Sequence, residues 1–193
     1  MKVLVACEYS GIVRDAFIKR GHDALSCDLL PTESPGPHYQ GNVFDIINSE
    51  KWDLMIAHPP CTYICRNAAN HIITQDKIDK RKEGIEFFNS LKNANINKIC
   101  VENPIPSQTT KTLIGEYTQI IQPWQYGHDY SKKTCLWLKN LPELIPTKII
   151  DITYYITPNG KKYTYGWYFT PRNSHARSKT FQGIADAMAE QWG

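Results

Sequence analysis

The sequence predicts an α/β fold: a mainly parallel sheet with helices on both faces. Three observations lead there. Continuous apolar runs such as Val3-Leu4-Val5-Ala6 and Leu54-Met55-Ile56-Ala57 are what strands buried on both faces require. Segments with helical spacing of apolar residues lie between such runs. The two kinds alternate over the first two thirds of the chain, as in successive βαβ units.

The first strand is Val3-Leu4-Val5-Ala6. Residues 11–20 follow as a helix, with Ile12, Val13, Ala16 and Phe17 at helical spacing and Gly21 as its stop. Residues 23–28 contain Ala24-Leu25-Ser26-Cys27, a second strand. The Pro- and Gly-rich stretch 31–41 reads as a loop. Residues 52–57 form a further buried strand. Residues 76–95 give the longest helix, with Ile78, Ile85, Phe88 and Leu91 on one face. Lys98-Ile99-Cys100-Val101, 117–122 and 134–138 are the next strands. In the tail, 151–155 and 162–168 are rich in β-formers around Asn159-Gly160, a strong hairpin signal. Residues 180–192 end the chain as a helix.

With 193 residues, the chain suits one domain with a sizeable core rather than two. Its 41% hydrophobic and 21% charged residues fit a globular protein. No apolar stretch is long enough to span a membrane, and the N-terminal run is too short for a signal peptide, so a cytoplasmic protein is expected. The six cysteines form no CxxC pair and no zinc-spaced cluster; in the cytosol they are expected to be reduced, with Cys27 and Cys100 as small core residues. No metal is expected. The net charge of +3 permits a nucleic-acid partner without requiring one. The basic residues concentrate in the last third. Lys132, Lys133, Arg172 and Arg177, beside Tyr130, Trp137, Trp167 and Tyr168, suit a phosphate backbone with stacked bases. A solvated surface over core aromatics is the alternative.

Ligands of parallel α/β sheets bind outside the carboxyl ends of the strands. Cys7-Glu8-Tyr9-Ser10-Gly11 follows the first strand as a tight turn opening a helix, where backbone N–H groups could meet an anionic ligand. It lacks GxGxxG, so a nicotinamide cofactor is not indicated. Asp28 follows the second strand, where an acid can bind ribose hydroxyls or cap a turn. His58-Pro59-Pro60-Cys61 follows the strand at 52–57. The two prolines fix the backbone before Cys61, either as a rigid structural turn or to present a thiol that nearby dipoles or positive charge can activate. Glu102, before Asn103-Pro104, ends a hydrophobic strand. There, burial can raise its pKa so that it holds a proton, or it can serve as a salt-bridge partner.

These residues resemble the cytosine-C5 DNA methyltransferases. The Pro60-Cys61 nucleophile loop, the Glu102-Asn103 pair, the turn from Cys7 to Gly11, Asp28, Gly41-Asn42-Val43 and the final helix follow the family's order along most of the chain. The resemblance implies a Rossmann-like S-adenosylmethionine-dependent methyltransferase fold. It implies a cofactor site at Cys7, Glu8, Tyr9, Ser10, Gly11, Asp28, Asn42, Val43 and Pro59, and DNA as partner, duplex or single-stranded. It also implies a mechanism. The Cys61 thiolate adds to C6 of cytosine, Glu102 hydrogen-bonds or protonates N3, C5 takes the methyl group, a base removes the C5 proton, and Cys61 leaves. In duplex DNA the base must first be flipped out.

The departures are Asn42 for an acid, Pro104 for an aliphatic residue, Ser10 for a glycine, and Lys132-Lys133-Thr134 in place of a Gln-Arg-Arg-type motif. A single domain over 1–193 is expected, with a hairpin-rich basic segment at about 143–175 in place of the family's target-recognition domain. Small members are familiar in bacteriophages, which suggests a phage origin and the host cytoplasm. A partner protein or homo-oligomer could supply target recognition. The alternatives are the same fold acting on a free pyrimidine nucleotide or single-stranded DNA, a catalytically silent cofactor- or DNA-binding protein, and a metal enzyme using Cys61, Cys65 and a histidine.

Overall fold

The structure, a computed structural model, describes residues 1–66, 74–171, 173 and 177–193. A seven-stranded sheet organises it: β1 (Lys2–Ala6), β2 (Asp23–Asp28), β3 (His38–Gln40), β4 (Leu54–Ala57), β5 (Lys98–Pro104), β6 (Gln119–Ile121) and β7 (Thr134–Lys139). Their order is β3-β2-β1-β4-β5-β7-β6. All neighbours from β3 through to β5 pair in parallel; β7 is antiparallel to both β5 and β6.

The unbroken apolar runs are explained by two-sided burial. Val3 and Val5 face one cluster with Leu54 and Ile56; Leu4 and Ala6 face another with Met55 and Ala57. The first cluster is closed by α1 (Ile12–Lys19), through Val13, Ala16 and Phe17, and by the last helix, α6 (Gln182–Trp192), through Ile184, Ala185, Met188 and Trp192. The second is closed by α2 (Val43–Ile46), α3 (Gln75–Lys92) and α4 (Gln108–Ile114), with Phe88, Leu91 and Ile114 inside. Burying roughly ten large side chains on each face at about 1.5–3 kcal/mol apiece is the main driving force for this arrangement.

Several elements differ from the sequence expectation. The loop at 31–41 contains β3, three residues whose pairing to Ser26, Cys27 and Asp28 outweighs the Pro- and Gly-rich approach. The face assigned to α3 is half right: Phe88 and Leu91 are buried, but Ile78 is 48% exposed because the first turns of α3 run past the edge of the core. The tail hairpin is present as β8 (Tyr154–Ile156) and β9 (Lys162–Thr164), a separate two-stranded sheet. The strand expected over 162–168 stops at Thr164. It turns into α5 (Tyr165–Phe169), where ring contacts such as Tyr163 on Trp167 and Tyr155 on Tyr168 replace ladder pairing. Among the described residues no helix is long and apolar enough to cross a membrane.

A buried arginine lies inside the fold. Arg14 is 0% exposed on α1. Its Nε donates to Asp15 (2.7 Å), Nη1 to the Ser26 and Thr32 hydroxyls (3.1 and 3.2 Å) and Nη2 to the Ser34 carbonyl (2.9 Å). The guanidinium thereby fastens the 32–37 loop to β2. Gly11 and Gly36 make room for it: a Cβ at either would lie within 3 Å of guanidinium atoms.

Candidate active site

The strand order changes direction between β1 and β4, where α/β sheets open a crevice at their carboxyl edge. The turn after β1 and the turn after β4 both line it. One lobe, about 150 Å³, is bounded by Cys7, Cys27, Asp28, Leu29, Gly41, Asn42, Val43, Pro60 and Phe87. A second, about 200 Å³, shares Cys7, Asp28 and Pro60 with the first and adds Glu8, Tyr9, Ser10, His58 and Lys179.

The residues expected to bind a cofactor gather here with different emphases. Cys7 stands at φ 59°, a left-handed backbone uncommon for a residue with a side chain, as the chain leaves β1. Glu8 is buried, and its carboxylate accepts from the N–H groups of Val13 (2.7 Å) and Arg14 (3.2 Å) and from the Ser10 hydroxyl (3.1 Å). The backbone donors offered to an external anion are therefore held by the protein's own acid, which satisfies the first turn of α1. Tyr9 hydrogen-bonds Ser178 (2.8 Å) across the second lobe. Gly11 is the N-cap of α1 at φ 76° and lines neither lobe. Asp28 lines both lobes while its Oδ1 accepts from the Leu30 N–H (2.9 Å), so the turn-capping role is realised. Asn42 caps α2 by accepting from the Phe44 N–H (3.0 Å), and Val43 is in the wall beside it. Pro59 is buried behind the groove, and Pro60 lines it instead.

Cys61 and Glu102 come to the same edge from neighbouring strands. Ala57 of β4 pairs with Val101 of β5, so the residues after them emerge side by side. The Pro-Pro-Cys turn is clamped to the end of β5. Asn103 Nδ2 donates to the Pro59 carbonyl (2.7 Å), Arg66 N–H to Ile105 (2.8 Å) and Ser107 N–H to Ile64 (3.3 Å).

The electrostatics correct two expectations. Burial by itself would push Glu102 upward. The His58 hydrogen bond (Nδ1 to Oε2, 3.1 Å), the His58 charge, Lys132 and the Thr134 hydroxyl outweigh it and hold the carboxyl below its ordinary value. Glu102 is thus a carboxylate at neutral pH rather than a stored acid. Burial pushes the His58 imidazole down, but the bond and charge of Glu102, with Glu8 nearby, carry it above the usual histidine value against Lys132. The Cys61 thiol is raised well above its ordinary value, first by its hydrogen bond to Cys65, then by burial and the Glu102 charge; Lys132 alone opposes. Activation by positive charge is outweighed in this state.

Of the residues expected to meet nucleic acid, Lys132 sits closest to the chemistry, acting on Glu102, His58 and Cys61 while its Nζ donates to the Arg177 carbonyl (3.0 Å). Arg177 stacks over Trp167 (4.8 Å to the ring centroid) and donates to the carbonyls of Pro171, Trp167 and Thr170. Lys133 is exposed. Arg172 lies outside the described residues. Trp137 is 4% exposed and packs edge-on against Phe88, so this ring belongs to the core and is not offered to bases. Tyr130, at 7%, packs on Phe181.

His58, Asn103, Thr134 and Arg14 carry parts of this arrangement that sequence reasoning did not assign. For His58 a signal existed: like Glu102, it is the first polar residue after an apolar strand. Arg14 gave none, because its partners are mostly loop carbonyls and hydroxyls. Among the described residues no group of three or more His, Cys, Asp or Glu side chains could hold a metal ion.

No protein-family model matches the chain, and no curated protein matches it in sequence. Solved structures do. A candidate DNA modification methyltransferase encoded within a prophage (E. coli) superposes with TM-score 0.50 at 14% identity over 79% of this chain and 53% of that one. Entamoeba histolytica methyltransferase EhMeth gives 0.49 at 13% over 80% and 58%, and a mutant of Spodoptera frugiperda DNMT2 gives 0.43 at 17% over 77% and 54%. The chain spans about half the length of these proteins. The first of these likenesses, with the strand order above, fixes the architecture: a Rossmann-like fold of the S-adenosylmethionine-dependent methyltransferase kind.

Proposed function

We propose that this protein transfers a methyl group from S-adenosylmethionine to C5 of cytosine in DNA, with Cys61 as nucleophile and Glu102 as the group that manages the N3 proton. The observation that carries this reading is the junction at the carboxyl edge. A thiol on a clamped Pro-Pro turn, whose Pro60 lines the groove running from Cys7 to Asn42, lies within electrostatic reach of a half-buried carboxylate on the next strand. The groove suits the cofactor. Val43, Phe87, Leu29 and Pro60 offer an apolar wall for an adenine, and Asp28 offers a carboxylate for ribose hydroxyls. S-adenosylmethionine would supply an electrophilic methyl group there. The chain's own residues would hold the base, add Cys61 Sγ to C6 and neutralise the charge that develops at N3.

The test is labelled S-adenosylmethionine with duplex DNA, single-stranded DNA and free nucleotides offered separately. Label on DNA is expected. Label on nucleotides alone would move the substrate to a free pyrimidine, and binding without transfer would leave a silent cofactor-binding protein.

Two further results are expected. Asp28→Ala should weaken binding of the demethylated cofactor about tenfold to a hundredfold in calorimetry, the worth of hydrogen bonds to a charged group. Unchanged affinity would remove Asp28 from the site. We also propose that the segment at about 143–175, with Lys132, Lys133, Arg172 and Arg177, meets the DNA. Lys133 gives the clean test, since it is exposed and is not among the groups that set the Glu102 charge state. Lys133→Glu should lower DNA affinity and flatten its salt dependence by about one counterion. A salt slope identical to wild type would take Lys133 off the interface.

A further inference from the structure

Resting on that reading, we propose that His58 is the proton-holding partner of Glu102: the two side chains form a dyad whose shared proton is the one lent to N3 of the target base. His58 is then a positioning residue for the acid step. The register of β4 and β5 places the two side by side, with Nδ1 3.1 Å from Oε2. The other ring nitrogen, Nε2, is buried without a hydrogen-bond partner among the described residues, while the His58 side chain as a whole is 11% exposed in the wall of the second lobe with Cys7, Glu8 and Tyr9.

The groups that act on His58 come from every side of the site: Glu102 on β5, Glu8 after β1, and Lys132 just before β7. Cys61 on its own loop feels Glu102 and Lys132 too. Glu102, held as a carboxylate by His58, Lys132 and Thr134, has no proton of its own to give. The Nδ1–H of cationic His58 is the proton within reach. As Cys61, its thiol proton given up to solvent beforehand, adds as a thiolate through Sγ to C6, the electron pair of the opened ring bond moves toward N3. N3 then takes a proton through Glu102, which is refilled from Nδ1, leaving His58 neutral. When the ring bond re-forms and Cys61 leaves, the N3 proton returns along the same path. No other reactant is needed.

The pair must carry its proton for this step, so transfer should slow as pH rises through the dyad's apparent pKa. The need for a Cys61 thiolate pulls the other way. The wild-type profile should therefore be bell-shaped.

The experiment has two arms. In the first, the His58 ring is titrated by NMR in the intact protein and in Glu102→Gln. The imidazole should titrate above an ordinary histidine in the wild type and fall back in the variant. In the second, single-turnover methylation of DNA is followed against pH for wild type, His58→Asn and His58→Ala. Asparagine can still donate to Glu102 near the Nδ1 position, so cofactor affinity should hold. The rate should nevertheless drop about a hundredfold or more, as for loss of a general acid, and the high-pH limb should vanish. A His58 that titrates at or below the ordinary value overturns the proposal, as does a His58→Asn protein with wild-type rate and profile. A wild-type protein that methylates nothing sinks the methyl-transfer reading alone, and the pairing then stands or falls on the titration.

Discussion

Cys61→Ser is expected to abolish methyl transfer while leaving the fold and cofactor affinity nearly intact. Serine is close to cysteine in shape, and the turn that carries it is held by the Asn103 side-chain amide donating to the Pro59 carbonyl and by the Arg66 N–H donating to the Ile105 carbonyl, which the substitution does not touch. What is lost is the nucleophile. A hydroxyl at neutral pH is ionised far too little to add to a pyrimidine ring, and removal of a covalent nucleophile typically costs several orders of magnitude in rate. DNA carrying 5-fluorocytosine should trap the wild-type protein as a covalent adduct at Cys61, because the fluorine blocks the proton loss that would release the sulfur. Cys65 is not an inert bystander in this experiment. Its side chain hydrogen-bonds the Cys61 thiol and is the first cause of that thiol's raised pKa. Productive binding must therefore break or redirect this contact, and Cys65→Ala should still form the adduct at Cys61. An adduct at Cys65, or turnover in Cys61→Ser, would end the C5-methyltransferase reading.

How much of this could be read from the chain depended on whether the signal was local. β1 and β4 were legible because strands buried on both faces must be apolar throughout, and α1 because Val13, Ala16 and Phe17 share a face. β3 was not legible. Its three residues carry no apolar run, and only their pairing with β2 makes them a strand. The hairpin signal at Asn159-Gly160 held, but the stretch after Thr164 folded as helix, since clustering of rings rather than β-propensity decided it. The gathering of Cys7, Asp28, Asn42 and Val43 at one edge follows from parallel topology alone. The protonation states do not. Glu102 looked like a desolvated acid because its strand is hydrophobic. Its actual state is set by His58, Lys132 and Thr134, which are distant in sequence and converge only in space.

The largest effect on stability is expected at a position that looked like an ordinary helix residue. Arg14→Met keeps length and helix propensity on α1 but removes every guanidinium donor to the 32–37 loop. The Ser34 carbonyl and the Ser26 and Thr32 hydroxyls lose their guanidinium partner, and Asp15 loses its 2.7 Å ion pair. Each buried hydroxyl or carbonyl left without its donor costs about 1–3 kcal/mol, together a large part of the roughly 5–15 kcal/mol that holds a domain together. Arg14→Lys should recover little, since one ammonium cannot span donors spread over Ser26, Thr32 and Ser34. The damage should be local first. Hydrogen exchange at Ser26 and in residues 32–38 should rise before the strands β4 and β5 open. Cofactor affinity should fall as well, because Asp28, Leu29 and Leu30 connect that loop to the groove. Urea unfolding decides it: a midpoint shift worth under about 1 kcal/mol in Arg14→Met would mean that the buried guanidinium is replaceable by apolar packing, as buried ion pairs sometimes are, and that the loop is held chiefly by the pairing of β3 to β2.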